Sequence, residues 1–261
     1  MFKNIFDQKK KQLIPYLTAG VPSLEETEKL VDMMVQEGVE ILELGVPFSD
    51  PSADGAILQL ASSEALKNNV QLKDVLNLAE RLHQKHPRLA IVLFTYLNPL
   101  LAMGLENYVL EAKSKGVAAT LTVDLPIEEA EEYIELHQKF GLQTVFLSSP
   151  TTSMSRLKNI QAASSAFLYY ISRTGVTGEQ KEISESLGFE VAKLKEVAKG
   201  PLAIGFGISN AEQAAKISQF CDAVIIGSAY MRLILEQKDS ALRFISVQKL
   251  TRDCVKSINR G

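Results

Sequence analysis

Two carboxylates define the chemistry this chain can do. Glu43 sits inside a short apolar run, Ile41-Leu-Glu-Leu44, and Asp54 closes the loop that follows, Gly45-Val-Pro-Phe-Ser-Asp-Pro-Ser-Ala-Asp-Gly55. A carboxyl in a buried strand is costly to ionise, so burial should raise the pKa of Glu43 towards the range useful for proton transfer. A second acid on the adjoining loop, in wetter surroundings, should hold a different charge. Strand and loop can bring the two to opposite sides of one substrate. A plain strand-to-turn connection would leave Glu43 in solvent, but Leu42 and Leu44 flank it. The turn also holds more Pro, Gly and Asp than a connection needs.

A second pattern suits an anion. Gly205-Phe-Gly-Ile-Ser209 and Gly227-Ser-Ala229 each follow a short β-type run near the end of the chain. Backbone N–H groups beside glycines approach a phosphate closely, and a helix N-terminus favours its charge. Gly207, Gly227 and Ser228 are therefore expected to cradle a phosphate. The segment Gly175-Val-Thr-Gly178, with Thr177 and Gly178, is placed to close over it. Tyr16, Phe94, Leu121, Tyr169 and Phe206 stand at or near strand ends and would form an apolar, aromatic wall suited to a flat ring; they would equally serve as barrel filling.

Several chemistries are excluded. No expected strand carries a lysine, so a Schiff-base nucleophile is missing. His83, His86 and His137 fall on helices or helix ends of an outer ring, so no metal site is expected. Cys221 and Cys254 lie among apolar neighbours, as core thiols do. Glu128, Glu129, Glu131 and Glu132 read as a solvated helix face.

The elements that must position these groups alternate regularly. Apolar β-type runs are expected at Leu13–Ala19, Ile41–Leu44, Ala90–Tyr96, Ala119–Val123, Thr144–Leu147, Phe167–Ile171, Leu202–Gly205 and Ala223–Ile226. Most are continuously apolar, as parallel strands covered on both faces are. Helical patterns separate them. Leu24–Glu37 gathers Leu30, Val31, Met34 and Val35 on one face behind Ser23 as N-cap, and Ile127–Phe140 and Phe189–Ala198 behave similarly. Eight such units predict an α/β fold, a closed (β/α)8 TIM barrel formed by residues 1–261 as one domain. An N-terminal helix and extra helices after strands 2 and 8 complete the expected architecture. An open doubly wound sheet usually shows an early Gly-x-Gly-x-x-Gly turn, which is absent. Two connections run long, Gly45–Asn69 with a helix at Ala56–Lys67 before the helix Leu72–Lys85, and Ser172–Leu187. Both leave carboxyl ends of strands, where such barrels build active sites and lids.

The 261 residues are 46% hydrophobic and 23% charged with net charge −3, which gives no electrostatic case for nucleic acid or an anionic membrane. No apolar run approaches the roughly 20 residues that span a bilayer. The charged N-terminus lacks a signal-peptide core, and two cysteines are too few for a disulfide framework, so a reduced, cytoplasmic setting is expected.

Taken with Pro15-Tyr-Leu-Thr-Ala-Gly20 and Ser172-Arg-Thr-Gly-Val-Thr-Gly178, the Glu43–Gly55 and Gly205–Ser209 segments make the chain resemble the tryptophan synthase alpha subunit family over essentially its whole length. The resemblance implies retro-aldol cleavage of indole-3-glycerol phosphate to indole and glyceraldehyde 3-phosphate, with Glu43 and Asp54 as the catalytic pair. It implies a phosphate held by Gly178, Gly207, Gly227 and Ser228. It also implies no cofactor in this chain and a pyridoxal-phosphate-containing beta subunit as partner in an α2β2 assembly, meeting the loops that carry Pro47, Asp50, Pro51, Asn98 and Pro99. Ser52 stands where the family usually has leucine and Ala56 where it often has proline, which bears on loop rigidity. A free-standing lyase using the same pair and releasing indole alone is the alternative. A different phosphate-sugar barrel isomerase, or a purely activating subunit, fits Glu43 and Asp54 less well.

Overall fold

The computed structural model describes residues 1–172, 187–205 and 207–259. The apolar runs become strands β1 (Gln12–Thr18), β2 (Ile41–Gly45), β3 (Ala90–Thr95), β4 (Val117–Thr122), β5 (Gln143–Thr144), β6 (Leu147–Ser148), β7 (Leu168–Ile171), β8 (Leu202–Gly205) and β9 (Ala223–Ile226). Their order in the sheet is β5-β4-β3-β2-β1-β9-β8-β7-β6, and every pairing is parallel. The two outermost strands are separated along the chain only by Val145 and Phe146. The Val145 N–H donates to Thr120 O at 3.0 Å on one side, while Tyr169 N–H donates to Phe146 O at 3.4 Å on the other. β5 and β6 are thus halves of one fifth strand, handing over from β4 to β7, and the sheet closes into the eight-stranded barrel that the repeat pattern predicts.

The helices are α1 (Phe2–Phe6), α2 (Leu24–Gln36), α3 (Ala56–Lys67), α4 (Leu72–Lys85), α5 (Leu97–Met103), α6 (Leu105–Ser114), α7 (Glu131–Phe140), α8 (Met154–Ala163), α9 (Leu187–Val197), α10 (Ala211–Ser218), α11 (Ser228–Glu236) and α12 (Ser240–Ile258). Ser23 caps α2 as expected, its Oγ accepting from Glu26 N–H at 3.2 Å. The face that α2 buries is Thr27, Leu30, Val31, Met33 and Met34, with Val35 only half-buried at its margin. The long pattern Ile127–Phe140 breaks into a single 3-10 turn, Ile127–Glu129, followed by α7. Between β3 and β4 the chain makes two helices, because Gly104 takes φ +85 and turns α5 into α6. α3 and α11 are the extra helices after the second and eighth barrel positions.

Two apolar layers result. One lies between the strands and the outer helices. The other fills the barrel with Ile14, Ile41, Val92, Ala119, Leu121, Val145, Ala203 and Ile225. α1 closes the amino-terminal end of that interior: Phe2 and Phe6 both meet the Phe167 ring edge-on, at 5.7 and 6.3 Å between centroids. Cys221 and Cys254 are free, buried thiols whose pKa burial pushes up to about 12. His137 is buried against Thr120 at 2.7 Å on the outer layer, and among the described residues no cluster of acids, histidines and cysteines suits a metal ion.

Candidate active site

A cleft opens at the carboxyl ends of the strands. Glu43 reaches it from β2 and Asp54 from the loop ahead of α3. Parallel pairing sets Glu43 beside Tyr16 on β1 and Val92 on β3. Glu43 is 1% exposed, its Oε1 makes no hydrogen bond among the described residues, and burial alone pushes its pKa up to about 8. A carboxyl so placed stays protonated at neutral pH and has a proton to give.

Asp54 differs from the expectation of a wetter site. It is 2% exposed, and burial pushes its pKa up to about 6. What separates the two acids is a donor: the Tyr96 hydroxyl faces Asp54 and pulls against the burial, whereas among the described residues nothing of the kind acts on Glu43. Asp54 is therefore mostly ionised at neutral pH while Glu43 is mostly neutral. The loop is tied down around it, with Asp54 N–H donating to Pro51 O at 3.0 Å and Gln59 Nε2 to Asp54 O at 2.8 Å.

Tyr16, Phe94 and Tyr169 line the cleft as expected, with Tyr16 edge-on to Phe94 at 5.0 Å. Two glycines make room for the tyrosines. A Cβ on Gly45 would collide with the Tyr16 ring and hydroxyl, and one on Gly205 with those of Tyr169. Leu121 takes the other role open to it. It lies in the barrel filling, 1% exposed, and Val123, two residues further along, lines the cleft instead. Leu58, Leu147, Ile171, Ile208 and Ile225 complete the apolar lining, and no sequence pattern singles them out from other core residues.

Gly207, Gly227 and Ser228 line the same cleft as the two acids. Gly207 takes φ +75, a conformation that favours glycine. Gly227 is the N-cap of α11, and among the described residues no side chain caps that helix, so its first N–H groups remain available to an anion. Thr177, Gly178 and Phe206 lie outside the described residues.

Of the expected partner face, Asp50 and Asn98 are exposed, and Pro51 and Pro99 partly so. Pro47 is buried, because the chain at Val46 is still bonded to the barrel, its N–H donating to Phe94 O at 2.9 Å. It shapes the loop from beneath and offers a partner no surface.

A TIM barrel with a neutral and an ionised carboxyl facing an apolar cleft, beside an uncapped helix N-terminus, defines a phosphate-anchored acid–base enzyme. The sequence model described as "Tryptophan synthase alpha chain" matches residues 2–258. The chain is 40% identical over 253 residues to the tryptophan synthase alpha chain of Solibacter usitatus, covering 97% of this chain and 94% of that one. To that of Marinobacter nauticus it is 42% identical over 234 residues, covering 90% and 87%. Among solved structures, tryptophan synthase subunit alpha from Legionella pneumophila superimposes with TM-score 0.89 at 33% identity, covering 100% of this chain and 97% of that one. A Mycobacterium tuberculosis tryptophan synthase structure gives 0.91 at 29% identity, covering 100% and 98%. The chain belongs to the tryptophan synthase alpha chain family, and it is a lyase of tryptophan biosynthesis. The free-standing lyase finds no support among these relatives.

Proposed function

We propose that Glu43 and Asp54 together carry the alpha reaction in this chain, the cleavage of indole-3-glycerol phosphate into indole and glyceraldehyde 3-phosphate. The observation that carries this reading is the opposite charge state of two buried acids in one cleft. Expelling a ring carbon as leaving group requires that carbon to be protonated first. Glu43, neutral, delivers that proton, then takes the proton of the glycerol hydroxyl as the C–C bond breaks and the carbonyl forms. Asp54, ionised, accepts the ring N–H and stabilises the positive charge that protonation creates on the ring. Gly207, Gly227 and Ser228, with Thr177 and Gly178, grip the phosphate and orient the reacting carbon. Tyr16, Phe94 and Tyr169 enclose the indole.

The family works with a beta subunit. In this reading the partner docks over Asp50, Pro51, Asn98 and Pro99 in a cytoplasmic α2β2 complex. This chain then needs no cofactor of its own, pyridoxal phosphate residing in the partner, and residues 1–261 act as one domain. The test is indole release from indole-3-glycerol phosphate by wild type, Glu43→Gln and Asp54→Asn, with and without a beta subunit. Each substitution should lower kcat by several orders of magnitude with circular dichroism unchanged; near-normal turnover in either removes that residue from the mechanism.

A further inference from the structure

Tyr96 follows β3 at the N-cap of α5, and its ring is 2% exposed. The ring stacks on Phe48 from the loop after β2, with centroids 4.9 Å apart and planes 22° from parallel. Its hydroxyl accepts the Ala53 N–H at 3.2 Å and faces the carboxyl of the next residue, Asp54, whose charged form it favours. A hydroxyl has one proton, and a backbone N–H can only donate. The Ala53 contact therefore leaves the Tyr96 proton available to the neighbouring Asp54 carboxyl. The backbone is fixed from the other side as well, since Leu97 N–H donates to Asp124 Oδ1 at 2.8 Å.

We propose that Tyr96 is a positioning residue for the lyase reaction: its hydroxyl clamps the loop backbone at Ala53 and aims the Asp54 carboxylate at the ring N–H as an acceptor. This rests on the assignment of Asp54 above. It adds that the acceptor is held and charged by a side chain from a different barrel unit. The geometry has a direct consequence for charge. A carboxylate buried in an apolar cleft retains its charge only if a donor meets it. Among the described residues, the groups facing Asp54 are Tyr96 from the end of β3, Tyr16 from β1 and Tyr169 from β7, with Glu43 from β2 lining the same cleft, and Asp124 in turn faces Tyr96. Of these, Tyr96 is the hydroxyl that favours the charged form of Asp54, whereas the Tyr16 hydroxyl bonds Thr18 Oγ1 at 3.2 Å.

The experiment is the pH profile of kcat/KM for indole-3-glycerol phosphate in the wild-type complex with its beta subunit, in Tyr96→Phe and in Asp54→Asn. Tyr96→Phe keeps the ring and its stack on Phe48 and removes only the hydroxyl. It should move the acid limb up by about one pH unit, so that activity falls about fivefold near pH 6 and recovers to within about threefold of wild type near pH 8. Phe48→Leu, which frees the ring and leaves the hydroxyl, should move the limb the same way by less, and it serves if Tyr96→Phe does not fold. A purely structural role would lower activity by the same factor at every pH, and that result, or an unmoved limb, overturns the proposal while Asp54→Asn remains inactive. An active Asp54→Asn would instead overturn the catalytic pair itself.

Discussion

Glu43 and Tyr16 stand side by side across the β1–β2 ladder, yet the Tyr16 hydroxyl bonds Thr18 and the Glu43 carboxyl keeps one oxygen without a partner among the described residues. An aromatic neighbour that dries a carboxyl without hydrogen-bonding it raises the pKa and leaves the proton free to transfer.

The first expected outcome is a bell-shaped profile of kcat/KM. Asp54 must be ionised and Glu43 protonated, so the limbs should fall near pH 6 and pH 8, the values to which burial pushes the two acids. Below the acid limb the ring N–H loses its acceptor, and above the alkaline limb the ring carbon loses its proton donor. A profile flat from pH 5 to 9 would contradict the assignment.

Stability should fall over the same alkaline range as activity. The folded chain holds the Glu43 proton more tightly than an unfolded chain does, with a pKa near 8 against 4.5. That contribution is fully present below about pH 4.5 and is lost as pH rises through 8. Glu43→Gln should therefore raise Tm by a few degrees at pH 9, corresponding to roughly 1–3 kcal/mol, and change it little at pH 4. Calorimetry at the two pH values decides it; an equal effect at both would mean that the charge is not what costs stability.

The anion cradle can be tested by charge. Gly207→Asp places a carboxylate beside the uncapped end of α11 and forces an L side chain into φ +75. KM for the phosphorylated substrate should rise at least tenfold. Binding of indole itself, measured by fluorescence or calorimetry, should persist; its loss in parallel would indicate a misfolded cleft.

The partner face makes a fourth prediction. On α5, Asn98 is exposed and Leu101 is 57% exposed, close in sequence to Tyr96. Leu101→Asp and Asp50→Ala should weaken stimulation by the beta subunit severalfold and leave the activity of the isolated chain nearly unchanged. Stimulation that is unaffected at subsaturating partner would move the interface elsewhere.

The barrel is legible in the sequence because its strands are continuously apolar and its helices carry their own caps, as with Ser23 ahead of α2. Glu43 is legible for the same reason, a charge standing where the pattern demands an apolar side chain. The split of the fifth strand is not, since Thr144–Leu147 is one apolar run and only the hydrogen bonds at Val145 and Phe146 reveal the handover. Nor is the setting of Asp54. Its loop composition reads as exposed, and the hydroxyl that keeps it charged comes from a residue 43 positions beyond Ala53. Contacts between separate barrel units leave no trace in local periodicity. Tyr96 offers one weak signal, an aromatic ring at the carboxyl end of a strand, the same feature that marks Phe94.

The small helix α1 carries a consequence out of proportion to its five residues. It acts as a stopper at the end of the barrel remote from every loop discussed above, with Phe2 and Phe6 seated against Phe167. Glu43 keeps its proton because it is buried, and burial is a property of both ends of a tube. Loosening the stopper, by Phe2→Ala for example, would let solvent rise through the filling from below and draw the Glu43 titration back towards that of an ordinary carboxyl. The acidity of the cleft is in part set at its drain.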